Sequence, residues 1–111
     1  MKVTIEISVG DYIDRHSILV IKQEKGLNVE LELEQYNILD DVNYFYFLNI
    51  MKAINLQLWD LEDRKRKGVE RYSNDESNVA FLITQLNDLR HETKKRIDVF
   101  YNSELTERKS H

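Results

Sequence analysis

The chain has 111 residues, no cysteine, no proline, and 16 Lys and Arg against 20 Asp and Glu, for a formal charge of −4. This excludes collagen, disulfide-stapled scaffolds and cysteine-built zinc sites, and the length suits one domain spanning 1–111. No apolar run reaches the ~20 residues of a membrane-spanning helix, and the polar, alternating start is unlike a signal peptide, so the expected location is the cytoplasm.

Val3, Ile5, Ile7 and Val9 alternate with Thr4, Glu6 and Ser8, the period of a half-buried strand. The reading is an N-terminal strand within residues 1–10, broken by Gly10. Asp11 then opens a first helix over 11–25, with Lys22 and Lys25 in its last turn and Gly26 as its C-cap.

Asn28 can cap a second helix. Its period is ambiguous. Val29, Leu31 and Leu33 alternate with Glu30, Glu32 and Glu34 as a strand would, while Leu27, Leu31, Gln35 and Ile38 fit a helical face. The helix is preferred because Glu, Leu and Gln form helices well. The N-terminal strand then lacks a partner in its own chain, which points to pairing with a second copy or to lying flat on the helices.

After a break at Asp40 and Asp41, the stripe Tyr44, Phe47, Leu48, Met51, Ile54, Leu58 and Leu61 recurs at three and four residues. It predicts a long helix from Val42 to about Lys67. Phe45, Ala53, Leu56 and Trp59 widen the stripe, so two sides of this helix need cover. Gly68 to Asn74 reads as a turn, and Ser73-Asn74-Asp75-Glu76 as a capping box. The last helix carries Val79, Leu82, Leu86, Leu89, Thr93, Ile97 and Phe100 to about Tyr101, and residues 103–111 form a frayed tail. The fold class is mainly α: an antiparallel hairpin of two long helices, two shorter helices and the short N-terminal β-strand.

Charge is uneven along the chain. Residues 1–63 hold five basic and twelve acidic groups, net −7, and residues 64–111 hold eleven and eight, net +3. This favours contact between unlike regions, within one chain or between copies, and argues against a nucleic-acid partner. The densest basic cluster is Arg64, Lys65, Arg66 and Lys67, with Arg71 beyond it. It is a weak polyanion-binding candidate, set against a solvated helix end whose cations complement the dipole. Arg90, Lys94, Lys95 and Arg96 form a second cluster further along.

Asp60, Glu62 and Asp63 place three carboxylates in one turn. In all-helical nucleotide pyrophosphatases, carboxylates so spaced on adjacent helices hold Mg2+. The stretch expected to face them, Ile83-Thr84-Gln85-Leu86, carries no acid, so such a site needs a second subunit. Ion pairing of Glu62 and Asp63 with Arg66 and Lys67 is the plainer reading. His16, His91 and His111 are scattered, with no cysteine or glycine-framed serine to form a nucleophile system. Tyr44, Phe45, Tyr46 and Phe47 point around a whole helix, so some must leave the core. Tyr44, Tyr46 and Trp59 are therefore the candidate partner-binding residues.

Several stretches together resemble an uncharacterised family of small helical proteins of bacteria and their phages. They are Asp14-Arg15 followed by Ile18-Leu19-Val20-Ile21-Lys22, then Asn55 to Asp63, then Asn74-Asp75 with Asn87 further on. The family often has a lysine in place of Arg15 and an arginine in place of Asn78. The resemblance implies a helical fold and carries no assigned activity. The Asn- and Tyr-rich composition is also usual in small phage-encoded proteins. The functional expectation is a non-enzymatic, cytoplasmic helical binding or adaptor protein that self-associates, as a homodimer in its simplest form, and needs no cofactor. The alternatives are a magnesium-dependent phosphate hydrolase completed across subunits and a polyanion-binding module.

Overall fold

The computed structural model describes residues 1–38, 41–67 and 74–102; at positions 41 and 74–77 it describes the backbone alone. Four helices follow in order: α1 (Val9–Glu24), α2 (Glu30–Leu33), α3 (Asp41–Arg66) and α4 (Asn74–Tyr101). The expected turn from Gly68, the Ser73 capping box, Arg71 and the tail at 103–111 lie outside the described residues or their described side chains.

Residues 1–8 correct the sequence expectation: no strand forms among the described residues. Alternation describes how a strand would present its side chains, but a strand also needs an edge to bond to. All described elements are helices, which offer none. Val3 and Ile5 consequently remain 79% and 71% exposed. The segment ends in a local bond instead. Ser8 is the N-cap of α1, its hydroxyl accepting from the Asp11 amide at 3.2 Å.

Gly10, read as a breaker, lies inside the first turn of α1. A Cβ there would overlap the Lys94 carbonyl oxygen and come within 2.8 Å of an Asp98 carboxylate oxygen. The missing side chain lets the start of α1 close onto α4, where the Gly10 amide donates to Asp98 Oδ1 at 2.6 Å. The far end of α1 is as expected. Gly26 takes φ +86°, its amide donates to the Gln23 carbonyl, and Leu27 donates back to Lys22.

The second helix is one turn, Glu30–Leu33, entered from Val29 without a side-chain cap. Of the two readings of 28–34 the helix is the one that forms, but it is short and Asn28 does not cap it. Val29 alone of this stretch is buried, so one apolar anchor cannot offset the ordering of a longer element.

Two apolar clusters fill the core. Ile13, Tyr44, Leu48, Met51 and Ile97 form one, with Val9, Tyr12, Phe47 and Tyr101 packed around it. Ile54, Leu58, Leu61, Val79 and Ile83 form the other, supported by Ile50 and Leu86. The first unites α1, α3 and α4; the second joins α3 to α4 alone. No helix among the described residues is long and apolar enough to cross a membrane.

Candidate functional site

Between the two apolar clusters lies a polar one. Asp14 sits on the buried face of α1, beside Ile13 and Ser17. Its carboxylate accepts from Arg90 of α4 through Nε at 2.9 Å and Nη2 at 2.6 Å. Asn55 of α3 donates through Nδ2 to Asp14 Oδ1 and to Ser17 Oγ, both at 2.8 Å. Ser17 in turn donates to the Asp14 backbone carbonyl at 2.7 Å. Lys94, one turn beyond Arg90, binds Asp11 at 2.6 Å and stands 4.0 Å from Asp14. Each of the three long helices thus contributes to one network.

Burial drives the Asp14 carboxyl pKa up, but the hydrogen bonds from Arg90 and Asn55 and the charges of Arg90 and Lys94 outweigh it. The group is held below its ordinary value and stays ionised. Arg90 shifts upward, chiefly through its hydrogen bonds to Asp14. The guanidinium and carboxylate therefore form a locked ion pair.

Beside this network a cleft of about 270 Å3 opens among α1, α3 and α4. Ile18, Ile21 and Leu58 give it apolar walls, and Trp59 closes one side. Asn55, Glu62, Arg66, Asn87 and Arg90 supply its polar groups. Among the described residues, the Trp59, Glu62 and Asn87 side chains make no hydrogen bond to another group. The network thus fixes Asn55 and Arg90 from behind, leaving three other polar residues facing the same space.

A second cleft, about 430 Å3, lies between α3 and α4; Leu61, Leu82, Leu86 and Leu89 line it together with Gln57, Asp60 and Gln85. Gln57 and Trp59 are two residues apart, about 200° around a helix, so the two clefts open on opposite sides of α3.

Comparisons with protein-family models, curated proteins and solved structures found no match.

The residues singled out in the sequence separate widely. Tyr44 has no exposed surface: it lies in the core, its hydroxyl 2.6 Å from His16 Nδ1, and burial raises its pKa. This removes it from any partner-facing surface of the chain. Tyr46 is 62% exposed and Trp59 is half-buried in the first cleft. Asp60 reaches Lys25 at 3.7 Å, while Asp63 binds Lys67 at 3.0 Å and Arg66 at 3.5 Å. Those contacts, first that of Lys67, lower the pKa of Asp63. Glu62 turns instead to the first cleft. The three carboxylates are therefore not gathered, and no metal-binding group of three or more His, Asp or Glu occurs among the described residues. Arg64, Lys65, Arg66 and Lys67 are exposed around the end of α3, so they do not share one face.

Sequence reasoning missed the Asp14–Asn55–Arg90 network as a unit. One signal was present: Asp14 lies one turn before Ser17 and Ile18 and next to Ile13, so α1 brings a carboxylate into its buried face. A buried acid requires a cation or several donors.

Proposed function

We propose that this protein is a non-enzymatic helical binding module that self-associates through the open face of α3 and α4. The observation that carries this is a row of leucines that no described residue covers. Leu82 and Leu89 are 43% and 49% exposed, with Leu86 half-buried between them. Beside them on α3 stand Tyr46, Ile50, Ala53 and Gln57, at spacings of four, three and four. Phe100 continues the row, packed edge-on to Phe47 at a centroid distance of 5.0 Å.

α1 covers the other side of the pair, since Asp14 meets both Asn55 and Arg90 there. We take the pairing of α3 with α4 to be an antiparallel hairpin, a reading that the two shared clusters support. Residues 44–51 share a cluster with Ile97, and residues 54–61 share one with Val79 and Ile83. Such a hairpin buries one stripe per helix and leaves a second. A leucine ridge beside Ala53 suits a copy of itself, because a two-fold axis sets the ridge of each protomer over the small residue of the other.

The cytoplasmic homodimer is the simplest form of this reading, and engagement of a further macromolecule builds on it. The test is sedimentation of the full chain, with and without the pair Leu82→Glu and Leu89→Glu. A dimer at micromolar concentration that the double variant converts to a folded monomer supports the proposal. A parent chain that stays monomeric at high micromolar concentration removes it.

A further inference from the structure

The cleft facing Trp59 is on the opposite side of α3 from the proposed interface, and its argument does not depend on self-association. Its chemistry is mixed in a definite way. The walls are apolar and include one flat indole. Arg90 is immobilised by Asp14, using two of the five N–H groups a guanidinium carries. Among the described residues Arg66 is held by a single 3.5 Å contact to Asp63, whose closer partner is Lys67. It can leave Asp63 at little cost, as exposed pairs contribute little. Glu62 and Asn87 offer hydrogen-bond acceptors that no described residue uses.

The network behind the cleft holds two of its polar groups in place. A buried ion pair is seldom the most stable way to fill a core; well-packed apolar groups do as well or better. Its use here fixes the position of Asn55 and Arg90, as a prearranged binding site requires. At about 270 Å3 the cleft lies just below the range of about 300–1,000 Å3 usual for organic ligands, which limits its occupant to a single small ring.

We infer that this cleft binds a small aromatic acid: a planar ring with a carboxylate or phosphate at one end and a hydrogen-bond donor at the other. The ring lies against Trp59 and the isoleucines of α1. The acid group meets Arg66 at one end of the cleft. The donor points toward the Arg90 end and is taken by the Asn87 amide oxygen.

Trp59 is the only tryptophan in the chain, so its emission reports directly on the cleft. The full-length protein is titrated with para-hydroxybenzoate, para-aminobenzoate and para-aminophenyl phosphate, following Trp59 emission and the heat of binding. Inorganic phosphate and neutral benzyl alcohol serve as the ringless and uncharged probes. At least one aromatic acid is expected to bind saturably, with both controls at least about tenfold weaker; a carboxylate or phosphate preference identifies the acid group. Arg66→Ala, at an exposed helix end, leaves the fold intact and weakens the aromatic acid about tenfold without changing benzyl alcohol. Absence of saturable binding by all three acids overturns the inference. So does inorganic phosphate binding as tightly as para-aminophenyl phosphate, or an Arg66→Ala variant that binds the acids unchanged.

Discussion

Arg90 grips Asp14 side-on, Nε to one carboxylate oxygen at 2.9 Å and Nη2 to the other at 2.6 Å, and so ties α4 to α1 across 76 positions of sequence. The Asp14 side chain is only 4% exposed. Removing its partner leaves a buried charge with Asn55 and a distant Lys94 for support. Arg90→Ala is therefore expected to lower unfolding free energy by about 3 kcal/mol, the lower end of the range for a broken buried pair because water reaches Arg90. Replacing both residues, Asp14→Leu with Arg90→Met, should recover most of the loss. Urea unfolding at neutral pH measures each variant. A double variant as unstable as Arg90→Ala would show that the pair cannot be exchanged for apolar packing.

The contact between α1 and α4 also rests on Gly10. Gly10→Ala places a methyl against the Lys94 carbonyl, a rigid backbone atom, and displaces Asp98 from the Gly10 amide. The expected cost is about 2–4 kcal/mol, combining overpacking with a lost charge-assisted bond. Gly26→Ala meets open space but must hold φ +86°. Its cost is about 1 kcal/mol, the penalty for a left-handed residue with a Cβ. Thermal melts of the two variants should rank them in that order, and the reverse order would contradict the close approach of the helices.

At the N-terminus, the segment before α1 and the residue that caps it should behave differently. Residues 1–5 are exposed and form no helix or strand, so deleting them is expected to change stability by less than about 0.5 kcal/mol. Ser8→Ala removes the oxygen that accepts from the Asp11 amide and should cost about 1 kcal/mol. Chemical denaturation of the truncated chain and of the point variant separates them. A large loss on truncation would mean that Val3 and Ile5 find apolar cover in solution.

The long helices were legible because Tyr44 to Leu61 and Val79 to Phe100 keep a three-and-four spacing without proline, and that period has one simple structural solution. The exposure of Tyr46 followed from the same geometry. The N-terminal strand failed because periodicity states which side chains share a face and not whether a bonding edge exists. Gly10 failed similarly: a glycine marks either a turn or a close approach, and only the position of Lys94 decides which. The candidate site was the least legible part. Asp14, Asn55 and Arg90 are separated by 41 and 35 positions. No local pattern announces that three helices will present them to one another, and the carboxylates that did share a turn, Asp60 and Asp63, became surface ion pairs.

His16 carries the last prediction, on pH. It is 9% exposed, lies over Tyr36 at a centroid distance of 5.3 Å, and has the Tyr44 hydroxyl 2.6 Å from Nδ1. Burial lowers its pKa from 6.5, so the folded chain keeps the ring neutral at pH values where the unfolded chain has protonated it. With more protons bound in the unfolded state, stability falls as pH drops below the unfolded value. The stabilisation is complete above that value and is lost on descent to the lowered folded one. The slope is at most about 1.4 kcal/mol per pH unit. Asp14 adds a separate decline further down, beginning near its unfolded value of about 3.9 and ending at its depressed folded one. His16→Gln is expected to be less stable at neutral pH through lost ring contacts, yet flatter between pH 7 and 5 than the parent chain. Urea midpoints measured across that interval check both points, and equal slopes for the two proteins would show that the proton is not taken up at His16.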